Sequence, residues 1–200
     1  MSQFIQFKKG IDVQTNLTKG GIKMDKGTLI KLGFDFDKET GTLNLPPDDK
    51  KLNVPRRIFA VKIKHLGDYL FSQRNYEEVY IPTSVESIGV GTFSSNKLRK
   101  LHIPGNVKSI GNFCFYSNKL ETVYLSEGVE TVGNEAFATN YYLKEVYIPP
   151  SVTSLGEGIF DDTTDELTIV CVEGSYAHEY AERGYFTKVL TLEEYNNVTI

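Results

Sequence analysis

The side chains able to do chemistry are few and scattered. Cys114 and Cys171 are the two cysteines, and His65, His102 and His178 are the three histidines. A reactive thiol needs a neighbouring base at the rim of a cleft, and a zinc site needs several ligands that converge. The histidines fall in three different sequence settings, and the run HEYAE that begins at His178 brings no second histidine to make a metalloprotease helix. Asp35, Asp37 and Glu39 alternate like the start of a calcium loop, yet the glycine comes late, at Gly41, and the closing glutamate is absent. There is no phosphate loop, nucleophile triad or conspicuous carboxylate pair. The chain therefore reads as non-catalytic, with no cofactor and no metal site.

Recognition chemistry is better represented. Tyr80, His102, Tyr124 and Tyr147 recur at nearly equal intervals, and Glu78, Lys100, Thr122 and Glu145 stand two places before them. Tyrosine offers a large contact area with a polar tip and loses little entropy when immobilised, which suits a binding surface, and files of rings also stack on sugars. The same residues are good strand formers whose in-register ladders stabilise a sheet by themselves. Either use requires a repeated element that sets residues from distant parts of the chain side by side.

That repeat is present. From Tyr76 the chain reads YEEVYIPTSVESIGVGTFSSNK, then LRKLHIPGNVKSIGNFCFYSNK, LETVYLSEGVETVGNEAFATNYY and LKEVYIPPSVTSLGEGIFDD, a period of 22 with one extra residue in the third copy. Its columns are chemically uniform: Val79, Leu101, Val123 and Val146; Ile81, Ile103, Leu125 and Ile148; Ile88, Ile110, Val132 and Leu155; Phe93, Phe115, Phe137 and Phe160. A half copy with Ile63, Leu66, Leu70 and Phe71 in register precedes them, and a degenerate one includes Leu52, Val54 and Pro55.

Alternation before the proline column predicts a short strand in each copy, stacked on the last as a parallel sheet. Pro82, Pro104 and Pro149 end that strand, with Ser126 in the third copy. Gly89, Gly111, Gly133 and Gly156 suit a tight bend or a positive φ, and Asn96, Asn118 and Asn140 are placed to satisfy buried backbone groups. Ser87, Ser109, Thr131 and Ser154 form a further column, expected to be a hydrogen-bond ladder. With rungs about 4.8 Å apart and at least two rungs between Cys114 and Cys171, a disulfide is out of reach, and both are expected as buried free thiols.

The pattern Leu-x-x-Val-x-Ile-Pro-x-x-Val-x-x-Ile-Gly-x-x-Ala-Phe resembles the BspA-like leucine-rich repeats of bacterial surface and secreted proteins, over about residues 52–183 once the tail LTIVCVEGSYAHEYAERG is included. The resemblance implies a leucine-rich-repeat solenoid, β-rich, with a parallel in-register sheet and a C-terminal strand-helix cap. It also implies adhesion or recognition at a cell surface, with a protein or glycan as ligand. Tyr176, Ala177, Tyr180 and Ala181 would give the cap helix one apolar side.

Residues 1–46 do not follow the period; they read as short strands with a hairpin that turns near Gly41, and serve either as an N-terminal cap or as an attachment segment. Their opening is loosely similar to phage fibre and virion-attached proteins, which would make the chain a structural virion component displaying its repeats. The division expected is 1–46, then repeats over 47–165, then a cap and tail over 166–200. A net charge of −4 with no basic cluster argues against nucleic acid. No apolar stretch is long enough for a membrane span, and no export signal is legible at Met1 to Gly10.

Overall fold

The computed structural model describes residues 63–184 in full, together with the backbone of five short strands outside or at the edge of that range. In chain order these elements are β1 (Asp35–Asp37), β2 (Thr42–Asn44), β3 (Arg57–Ile58), β4 (Val61–Lys62) and β5 (His65–Leu66). Then come β6 (Ser87–Ile88), β7 (Lys100–Ile103), β8 (Ser109–Ile110), β9 (Thr122–Leu125) and β10 (Thr131–Val132). The last are β11 (Glu145–Ile148), β12 (Ser154–Leu155), β13 (Thr168–Cys171), the helix α1 (Tyr176–Arg183) and β14 (Lys188–Thr191).

The turns that contain β7 to β12 each carry two strands, so the solenoid has two sheets. One contains the predicted strands, in the order β14-β13-β11-β9-β7 and parallel throughout. The other runs β1-β2-β5-β6-β8-β10-β12. Its strands from the repeats are two residues long and come from the Ser-Ile column, which the sequence marks as core but not as strand. A polar residue followed by a buried one is too short a run to show alternation.

Alternation is plain in the first sheet. In β7 the pattern is exposed, buried, exposed, buried, with Leu101 and Ile103 inward. The apolar columns of successive turns form one core, in which Phe71, Phe93, Phe115, Phe137 and Phe160 stack with ring centroids 5.3, 5.3, 5.6 and 6.1 Å apart. No single turn encloses its own apolar face, so stability resides in the stack.

The hairpin near Gly41 forms, with Phe36 opposite Leu43, and β2 continues the second sheet by pairing parallel with β5. Apart from β1 and β2, residues 1–46 lie outside the described residues, and so does the attachment reading of that segment. At the other end Ser175 caps α1 by accepting a hydrogen bond from the His178 amide at 3.2 Å. Ala177 and Ala181 are buried beneath the helix and Tyr180 is half-buried, but Tyr176 points outward instead of completing the apolar side.

Three further sequence expectations are corrected. The first is the strand containing Tyr80, which does not form: residues 78–81 make no bridge to β7, although Ile81 is buried. Second, the glycine column keeps ordinary φ values. Positive φ falls instead on two other columns, one of them Tyr69, Gly91, Phe113, Glu135 and Gly158. Third, the serine column makes no ladder among the described residues. Its one side-chain hydrogen bond joins Ser87 Oγ and His65 Nδ1, at 2.6 Å.

Candidate functional site

The register of the first sheet decides which outward side chains meet. His102 is paired with Tyr124, and Tyr124 with Tyr147. Their rings follow at one strand spacing: His102 to Tyr124 is 5.5 Å with a 59° tilt, and Tyr124 to Tyr147 is 5.2 Å with a 43° tilt. Lys100, Thr122 and Glu145 form the parallel file two residues earlier. Tyr80 and Glu78 occupy the turn before β7, outside the sheet; Tyr80 is half-buried and the ring contacts do not reach it.

Exposure varies along the file in one direction. His102 is open, Tyr124 is 46% exposed and Tyr147 is half-buried. Val170, the next residue in register, is buried and yet is not part of the core cluster. The open part of the face therefore lies over β7 and β9. His102 is held there by a hydrogen bond between Nε2 and Ser126 Oγ at 2.7 Å, made by the residue that replaces proline in the third copy.

The asparagine column does what its position requires. Asn118 accepts from the Leu98 amide at 3.1 Å and donates to the carbonyls of Phe93 and Phe115 at 3.0 Å each. Asn96 and Asn140 make the equivalent bonds between their own turns. These side chains brace the corner where each turn leads into the sheet strand, and so help to set the register of the file.

Both cysteines are buried and free. Burial pushes the Cys114 thiol far up, and it pushes Cys171 up to about 11, with the nearby Glu182 carboxylate adding to the effect. Each is protonated at neutral pH, the opposite of what a nucleophile needs. The histidines are separate, as expected: His65 is in the second sheet, His102 on the open face and His178 on the cap helix. Among the described residues no group of three or more His, Cys, Asp and Glu is placed to hold a metal ion. Asp35 and Asp37 stand in a hairpin strand, while Glu39 lies outside the described residues. No described helix is long and apolar enough to cross a membrane.

One exposed feature escaped the column reading. The extra residue of the third copy places Tyr141 and Tyr142, 62% and 58% exposed, at the corner leading into β11. The signal was there, as a one-residue lengthening that replaces the lysine of Lys97 and Lys119 by two tyrosines, but a period shows only that an insertion exists and not which way it points.

Comparison with known proteins agrees with this architecture. A comparison with curated proteins gives no matching sequence. Among solved structures, a leucine-rich-repeat protein of T. pallidum superposes with a TM-score of 0.62 at 18% identity, covering 81% of each chain. The pneumococcal vaccine antigen PcpA superposes with a TM-score of 0.51 at 24% identity, over 66% of this chain. This chain thus spans about a third of PcpA, 34% of its length. At these identities the likeness establishes the fold alone. The sequence pattern described as the BspA type leucine-rich repeat region matches residues 64–181 in six copies, and the chain belongs to that family.

Proposed function

We propose that this chain is a non-catalytic binding module whose five-stranded sheet presents the open face around Tyr124 to a protein or glycan ligand. The observation that carries the reading is the exposure of Tyr124 in the middle of a regular sheet, flanked by His102 and Tyr147 at ring-contact distance. A ring file that only stabilises the sheet gains from being covered, whereas this one is widest open at its centre and N-terminal end. The site residues are His102, Tyr124 and Tyr147, with Lys100 and Glu145 beside them; Tyr80 and Glu78 extend the surface from the preceding turn. In this reading residues 1–46 close the N-terminal end through β2, residues 47–165 carry the face, and residues 166–200 close the other end through α1.

Replacing Tyr124 and Tyr147 by serine tests it. Cross-strand aromatic contacts are worth roughly 0.2–1 kcal/mol each, so the variant stays folded by circular dichroism. Its binding to peptides or glycans retained by the unmodified chain on display libraries and glycan arrays is expected to fall by about tenfold or more. Undiminished binding would move the site off this face.

A further inference from the structure

The tyrosine pair of the third-copy insertion does not stand alone. Lys97 and Lys119 occupy the same corner in the two preceding turns, each just before a buried leucine, Leu98 and Leu120, as Tyr142 stands just before Leu143. Lys144 follows immediately in the same turn. All three lysines are exposed, and none makes an ion pair within the described residues. The backbone ties the corners together, with the Lys119 amide donating to the Leu98 carbonyl and the Lys144 amide to the Glu121 carbonyl, each at 3.0 Å. In a chain of net charge −4, this one rim thus places Lys97 and Lys119 at rung spacing, with Lys144 one turn on, beside Tyr141 and Tyr142, two of the three most exposed tyrosines among the described residues.

Building on the reading of the neighbouring face as a binding surface, we infer that Tyr141, Tyr142, Lys97, Lys119 and Lys144 are its specificity element and take an acidic segment of a protein. The tyrosines supply contact area at low entropic cost, and the lysines supply charge complementarity that steers an acidic partner into place. A protein segment fits better than a uniformly anionic polymer because carboxylates lie within the same surface. Glu121, paired with Arg99 at 3.0 Å, and Glu145 on the adjacent file interrupt the lysines, so a segment whose charge varies along its length matches the surface better than a sulfated glycan or a nucleic acid whose charge does not. The ring file next to the rim points the same way: its rings pack on one another, so their edges and hydroxyl tips, more than their flat faces, meet a ligand.

The test uses the full chain and a phage-displayed library of random dodecapeptides, with selected peptides then measured by fluorescence anisotropy at low and high salt. Selected peptides are expected to be rich in Asp and Glu and to weaken as salt rises. Tyr141→Ser with Tyr142→Ser, and separately Lys119→Glu with Lys144→Glu, are each expected to reduce affinity by about tenfold or more while leaving circular dichroism unchanged, since these side chains pack against little. Selection of no binder, or of peptides without acidic enrichment, overturns the inference, as do selected peptides that bind both variants undiminished. Heparin that binds the unmodified chain, loses affinity on the rim variants and displaces no peptide overturns it in favour of a sulfated glycan. Peptides that lose affinity on Tyr124→Ser but not on the rim variants remove the rim and keep the face. The reverse pattern removes the face and keeps the rim.

Discussion

At the scale of single residues, the repeat is held by atoms that meet from neighbouring turns. Gly111 illustrates this. A Cβ added there would stand 2.5 Å from the Gly89 carbonyl carbon and 2.6 Å from its oxygen, so glycine is required by the closeness of the preceding backbone and not by its own φ. Gly111→Ala is expected to destabilise the chain by about 3 kcal/mol, read as a lowered urea midpoint, because the obstacle is backbone and cannot swing aside. The left-handed positions lie elsewhere in the turn, at residues as bulky as Phe113, where φ is +56°. Sequence spacing located the glycine column correctly, but positive φ, one of the two causes it suggested, does not apply, and an approach between turns has no trace within a single turn.

Among the elements, one pentapeptide makes the point. Glu-Val-Tyr-Ile-Pro occurs twice, at residues 78–82 and 145–149. The second copy contains β11, paired on both sides with β9 and β13; the first forms no strand. Local propensity is identical, so the difference lies in the neighbours with which each copy can exchange backbone hydrogen bonds. Amide exchange should separate them: the Val146 and Tyr147 amides are expected to exchange about a hundredfold or more slower than those of Val79 and Tyr80, measured by NMR on the native chain. Equal rates would mean that the first turn pairs in solution as the others do. The same comparison limits the candidate site, because Tyr80 belongs to the file by sequence but stands outside the sheet that aligns the rest.

Taken as a whole, the described residues form one continuous core, on which α1 packs through Ala177 and Ala181. The two thiols lie within that core or against the cap, and this sets a pH dependence. Cys171 has its pKa raised from 9.0 to about 11, and Cys114 is raised further, in both cases chiefly by loss of water. The folded chain therefore holds protons that the unfolded chain releases above pH 9, so stability is fully present below that pH and is lost as pH rises through 11. Urea midpoints are expected to be level from pH 7 to about pH 9 and then to fall, with a shallower fall in Cys171→Ala. A profile unchanged by that substitution would place Cys171 in contact with water.

The sequence by itself determined the period, the inward columns, the proline stops and the asparagine braces, because each turn must sort the same side chains in and out to bury anything at all. Asn118 and Phe115 were legible for that reason. Tertiary structure decided what depends on the next turn: the second sheet, the cause of the glycine column, and which copy of Glu-Val-Tyr-Ile-Pro becomes a strand. It also decided which aromatics face water. Tyr124 and Tyr147 have the same place in the period, yet one is open and the other half-buried, and the inserted Tyr141 and Tyr142 are more exposed than either. Solvent exposure is set by what packs alongside a residue, and the partners that settle it are a full turn or more away along the chain.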